Sequence, residues 1–188
     1  MPTRLLLIAH APTEATRRAS FPLDEAIEDG SETDILTVRE RLTRADRAYT
    51  APEQRTRQTT DGLDLEAETH LLLSDINLGR WRGKTFDDML AEGPEAIAAW
   101  TSNPASRVHG GESVEELIAR VKPFLERQQE EGGRVIAVTH PGIIRAAVVL
   151  TLGAPAASFW RIDIAPLTTV DLRSDGRRWT LRGIVAVD

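Results

Sequence analysis

The apolar positions of this chain fall into two kinds of pattern. Short continuous runs come first: Arg4 to Ala9 reads Arg-Leu-Leu-Leu-Ile-Ala, and Arg134 to Thr139 reads Arg-Val-Ile-Ala-Val-Thr. Runs of this length without alternation are expected of strands buried on both faces of a parallel sheet. Between them lie stretches of helical period. Ser31 to Thr43 carries Ile35, Val38 and Leu42 on one side, with Ser31 placed to cap its start. Glu53 to Leu63 predicts a helix opening just after Pro52. Glu112 to Glu131 predicts a longer amphipathic helix with Val114, Leu117, Ile118, Val121 and Leu125 in one stripe. Ala48-Tyr49-Thr50 reads as a weak strand, and Thr69 to Leu73 as another short apolar run. After His140-Pro141-Gly142, read as a tight turn, Ile143 to Leu152 predicts an apolar helix.

The segment from Ser74 to His109 breaks the pattern with Gly79, Gly83, Gly93, Pro94 and Pro104. It is expected to hold one or two short helices and to form a small cap over the sheet. Past Phe159 the chain alternates, and Asp175-Gly176 between Val170–Leu172 and Trp179–Leu181 is a hairpin signal. Strands alternating with helices predict an α/β three-layer sandwich with a mostly parallel central sheet and helices on both faces. No repeat, linker or low-complexity stretch divides the chain, so residues 1–188 are expected to be one domain.

Composition narrows the function classes. Of 188 residues, 41% are hydrophobic and 28% charged, as in an ordinary globular domain. The formal net charge of −6 argues against nucleic acid, whose binding needs a basic face. A small anionic substrate is still accommodated, because a few arginines hold one locally. There is no cysteine, which removes disulfides and thiolate chemistry. The first apolar run is too short for a signal core or a membrane span. A cytoplasmic protein with no membrane partner is expected, and a homodimer is left open.

The chemistry is expected where the histidines fall. His10 and His140 each follow directly on a buried strand, and ligands of open parallel sheets bind beyond the carboxyl ends of strands. His140 also precedes a helix whose first amides favour an anion. His70 and His109 lie in polar loop contexts and are expected at the surface or in minor structural roles. Trp81 and Trp100 are expected to pack the cap.

Four ordered segments resemble the histidine phosphatase superfamily (phosphoglycerate-mutase-like, branch 1). Leu7-Ile8-Ala9-His10-Ala11-Pro12-Thr13 is similar to its Arg-His-Gly-x-Thr opening. Ala51-Pro52-Glu53-Gln54-Arg55-Thr56-Arg57-Gln58-Thr59 resembles Ser-Pro-x-x-Arg-x-x-Gln-Thr. Leu73 to Gly83 resembles Leu-x-Glu-x-x-x-Gly-x-Trp-x-Gly. The last is Gly110-Gly111-Glu112-Ser113 with Val138-Thr139-His140-Pro141-Gly142 downstream.

The resemblance implies a phosphomonoester hydrolase acting on a small phosphorylated metabolite, without metal or other cofactor. It makes His10 the nucleophile of a phosphohistidine intermediate, His140 a donor to the phosphoryl group and Asp75 the general acid. Arg55 would hold phosphate oxygens, with Thr13 and Glu112 near the substrate. Three positions depart from the pattern: Ala9 stands for Arg, Ala11 for Gly and Asp75 for Glu. The loss at Ala9 makes Arg17, Arg18, Arg57 and Arg145 candidates to restore charge, Arg17 foremost. It also implies an alternative, a phosphate-binding relative with weak or no turnover. A phosphoglycerate-type mutase fits less well, because those enzymes carry a longer cap.

Overall fold

The computed structural model describes residues 1–187. Its elements run β1 (Thr3–Ala9), α1 (Glu14–Arg17), α2 (Glu32–Arg41), β2 (Arg47–Thr50), α3 (Gln54–Gly62), β3 (Glu68–Thr69), α4 (Phe86–Glu92), α5 (Pro94–Ser102), α6 (Val114–Glu131), β4 (Gly133–Thr139), α7 (Pro141–Leu152), β5 (Thr169–Ser174) and β6 (Trp179–Val185). Single 3₁₀ turns occur at Leu71–Leu73, Gly79–Trp81 and Ala156–Arg161. The six strands form one sheet in the order β3-β2-β4-β1-β5-β6. The pairs β3–β2, β2–β4 and β4–β1 are parallel, whereas β5 runs antiparallel to both β1 and β6. The fold is thus α/β with a mixed, mostly parallel sheet, as the run-and-period pattern predicted.

Both long apolar runs are buried on both faces, and the pleat sorts their side chains. Leu5, Leu7 and Ala9 point into the larger core, which α6 and α7 close with Leu117, Val121, Phe124, Ile143 and Ala147. Ile8, Ile136 and Val138 point the other way, against Ile35 and Val38 of α2 and Leu63 beyond α3. Burying each such aliphatic side chain contributes roughly 1.5–3 kcal/mol, so this sorting holds β1 and β4 in register. A third cluster lies beside the sheet: Phe21, Leu78, Trp81, Met89 and Trp100 pack α4 and α5 onto the rest of the chain.

Several local expectations need correction. Ser31 does not cap α2 with its side chain. Its backbone is already helical, and its hydroxyl donates to the Glu28 carbonyl at 2.7 Å. The stretch Thr69 to Leu73 is not one strand: Thr69 ends the two-residue edge strand Glu68–Thr69, both exposed, and Leu71–Leu73 form a 3₁₀ turn that buries Leu73. The α6 helix starts one residue beyond Ser113, whose hydroxyl closes a capping box with Glu116. His140-Pro141-Gly142 is no separate turn: Pro141 is the first residue of α7, where its missing N–H costs nothing, and His140 is the N-cap. His109 is fully buried against the rings of Trp81 and Trp100, and its Nδ1 accepts from the Gly111 amide at 3.0 Å. Among the described residues, no helix is long and apolar enough to cross a membrane.

Candidate active site

Parallel pairing of β1 with β4 sets Ala9 opposite Thr139. The next residue on each strand is a histidine, so the sheet itself delivers His10 and His140 side by side. The His10 amide donates to the Thr139 carbonyl at 2.9 Å, and the two imidazole rings lie 5.3 Å apart between centroids. The neighbouring strand β2 ends at the same edge and leads through Ala51-Pro52 into α3, which brings Glu53 and Arg55 to the same place.

His10 is nearly buried, at 7% exposure. Its Nδ1 lies 2.7 Å from the Ala11 carbonyl. A carbonyl only accepts, so Nδ1 carries the proton and Nε2 keeps its lone pair. Burial, with the positive fields of His140 and Arg55 behind it, lowers the His10 pKa to about 3. The ring is therefore neutral at ordinary pH, with a nucleophilic nitrogen directed away from the backbone. The backbone here needs no glycine: positive φ among non-glycine residues occurs at Ala19, Asp64 and Leu167, and Ala11 lies outside that group. Its amide is held by the Thr59 hydroxyl at 2.9 Å.

His140 is fully buried, and both ring nitrogens face carboxylates. Nε2 donates to Glu53 at 2.8 Å, and Nδ1 lies 3.5 Å from an Asp75 oxygen without a hydrogen bond. The second Glu53 oxygen accepts from the Asp75 amide at 3.0 Å, which ties the three groups into one network. Arg55, 1% exposed, donates to Asp75 at 2.7 Å and to the Leu23 carbonyl at 2.9 Å, while its Nε has no partner. Burial opposes ionisation of Asp75, yet His140 and Arg55, helped by the Ile76 amide, outweigh it and hold this carboxyl below its usual range. Glu53 behaves likewise: burial raises its pKa, and the His140 contact more than reverses the effect. Both carboxylates are charged in the resting protein.

A cavity of about 220 Å³ opens above His10. His10, Thr13, Glu25, Asp75 and Gly142 line it together with Leu78, Trp100, Phe159, Trp160 and Ile164, and Arg145 stands on its wall. Thr13 lines it but spends its hydroxyl on Glu25 at 3.1 Å and on capping α1. The structure brings His10, His140, Asp75 and Arg55 together and leaves two other expected residues outside. Arg17 points to solvent and pairs with Glu28 at 2.7 Å, its side chain 67% exposed. Glu112 pairs with Arg120 at 2.7 Å and borders a separate open groove. Arg18 and Arg57 are exposed. Ala9 is buried in the core cluster that includes Ile143 and Ala147 of α7. Glu53 was missed by sequence reasoning, although a carboxylate two residues before Arg55 at a strand end was the available signal. Among the described residues, no group of three or more His, Cys, Asp or Glu side chains is arranged to hold a metal ion.

The family model described as histidine phosphatase superfamily (branch 1) matches residues 5–186. The chain belongs to this superfamily. Phosphoserine phosphatase 1 of Hydrogenobacter thermophilus is 27% identical over 168 residues, covering 84% of this chain and 80% of that protein. Adenosylcobalamin/alpha-ribazole phosphatase of Salmonella typhimurium is 26% identical over 174 residues, covering 86% and 85%. A solved structure described as mycobacterial hydrolase 1 superposes with a TM-score of 0.89 at 22% identity over 100% of both chains, a likeness of fold. This histidine phosphatase superfamily member therefore has phosphatases of small phosphorylated metabolites among its distant relatives.

Proposed function

We propose that this protein hydrolyses small phosphomonoesters through a phosphohistidine on His10. The observation that carries the reading is the tautomer: the Ala11 carbonyl holds the Nδ1 proton, so Nε2 is a neutral nucleophile facing the cavity. In the first step Nε2 forms a bond to phosphorus as the bond to the ester oxygen breaks. The leaving oxygen takes a proton from Asp75. That carboxyl is ionised at rest, so its proton arrives with the substrate: a phosphate bound beside it adds negative charge and raises its proton affinity. Arg55, now clamping Asp75, shares its fork with the phosphoryl oxygens, its free Nε included. His140 lies beside the phosphoryl group with its unpartnered Nδ1 open to it, Glu53 fixing the ring from the opposite nitrogen. In the second step Asp75, ionised again, accepts a proton from water as the water oxygen attacks phosphorus. The Nε2–P bond breaks, and phosphate leaves. The sum is ester plus water giving alcohol plus phosphate.

The cavity volume of about 220 Å³ supports a small ester, since sites for drug-sized ligands run from about 300 Å³ upward. The names of the relatives point to the same class of substrate. The test is acid-labile, alkali-stable label trapped on the protein from a ³²P-phosphomonoester, present in wild type and absent in His10→Ala. Ala9 favours a second reading, a phosphate-ester binding protein without turnover. Tight ester binding with neither label nor released phosphate would establish that one instead.

A further inference from the structure

Arg145 is the one arginine lining the cavity above His10 among the described residues. It is the fifth residue of α7, and long side chains on a helix lean toward its N-terminus. That lean carries the guanidinium toward the cavity. Its surroundings are unusual for an arginine. Three-quarters of the side chain is buried, at 24% exposure, yet among the described residues its buried Nε has no hydrogen-bond partner. A buried donor left unpaired is costly. Its nearest carboxylate is Asp163, 3.9 Å away and fully exposed, a pairing worth little in water. It lies 5.8 Å from the ring centroid of Phe159. Burial pushes its pKa below the usual value, as expected of a cation held short of partners.

The wall around it has the same character. Trp100 and Trp160 stand with ring centroids 4.2 Å apart, and the indole N–H of each is buried without an acceptor. Tryptophan and arginine only donate. The wall around Arg145 therefore combines apolar ring surface with N–H groups that lack partners. The lining carboxylates are elsewhere: Asp75 is in the catalytic network, and Glu25 is held by Thr13.

Resting on the hydrolase reading, we infer that the cavity selects phosphomonoesters whose leaving group carries a carboxylate on a compact apolar body, with Arg145 as the specificity-determining residue. The carboxylate completes the guanidinium, and the body lies against Trp100, Phe159 and Trp160. The phosphoryl group is directed to His10, which lines the same cavity.

The test compares phenyl phosphate with 3-carboxyphenyl phosphate, which share one body and differ in the carboxylate. Wild type is expected to show a kcat/KM at least about tenfold higher for the carboxylated ester, the scale of one charge-assisted hydrogen bond. In Arg145→Leu the ratio falls to about one, and Arg145→Lys, which keeps the charge, restores part of it. Thermal unfolding confirms that both variants fold, and the Lys variant keeps the test valid if the Leu variant does not. A wild-type ratio near one overturns the inference. So does a ratio that persists in Arg145→Leu while kcat falls alike for both esters, which would make Arg145 part of the phosphoryl clamp. Quenching of tryptophan fluorescence in His10→Ala, with the same two esters, separates this from the hydrolase reading. A binding preference that depends on Arg145, in a protein that hydrolyses neither ester, keeps the inference and removes the hydrolase. No preference in binding, with turnover intact, does the reverse.

Discussion

The surroundings of His10 and of Arg145, which line the same cavity, are built differently. Around His10 the charged groups are wired to one another: His10 to Ala11, His140 to Glu53, Asp75 to Arg55 and Thr13 to Glu25, with Arg55 Nε and His140 Nδ1 left without a partner. Around Arg145 the surroundings are aromatic, and no close carboxylate pairs with the guanidinium. A site that performs chemistry gains from charges fixed before the substrate arrives, because they need no reorganisation during reaction. A site that selects a ligand gains from buried donors that only the right partner satisfies, because wrong partners leave them unpaired. On the hydrolase reading proposed above, catalysis belongs to the wired surroundings of His10 and discrimination to the open surroundings of Arg145.

The sharpest way to break this assignment is at His10. His10→Ala is expected to lower kcat by roughly 10⁴-fold or more, since the covalent route is lost. Residual turnover near wild type, measured as released phosphate, would move the chemistry elsewhere. Arg55→Ala comes next, with kcat expected to fall roughly 10²–10³-fold, as for removal of one fixed charge donor in the transition state. Because Asp75 loses its partner in that variant, its pKa rises, and the pH profile of kcat should shift upward with it. Glu53→Gln is expected to cost about tenfold, in the range seen for groups that orient a functional histidine. A changed pH profile distinguishes this from general loss of structure.

The wired surroundings of His10 also have a stability signature. The folded-state pKa of His10 is about 3 against 6.5 in the unfolded chain. The unfolded state therefore binds more protons between those values, and stability rises with pH across the window. From pH 7.5 to pH 5 the loss attributable to His10 is about 2 kcal/mol. Urea unfolding at the two pH values should show it in wild type and lack it in His10→Ala. The stability held by Asp75 and Glu53, whose folded pKa values are depressed, is present above their unfolded values and is lost only at lower pH. The smallest effect is expected at Arg17. Arg17→Ala should leave kcat/KM within about twofold, because its pair with Glu28 is exposed and worth little. A larger loss would mean that this arginine turns inward when substrate binds.

Local order was written in the sequence. The continuous apolar runs at Arg4–Ala9 and Arg134–Thr139 specified buried parallel strands, because only side chains welcome on both faces fit there. A histidine directly after each was enough to anticipate His10 and His140 in one site, since parallel strands end at the same edge. The ordered motifs added Arg55 and Asp75, and with them the family. What tertiary structure alone decided was who pairs with whom. Nothing in the spacing from Glu53 to His140 announces a 2.8 Å contact, because it depends on β2 lying beside β4 across a sequence separation of 87. Arg17 and Arg145 were both candidate cations by sequence. Which one reaches the cavity depended on the nearest acceptor: Glu28 holds Arg17 at the surface, while no hydrogen-bonding partner among the described residues holds Arg145. Charge and period are properties of a chain position, whereas burial and pairing belong to the assembled fold, and burial and pairing set the chemistry here.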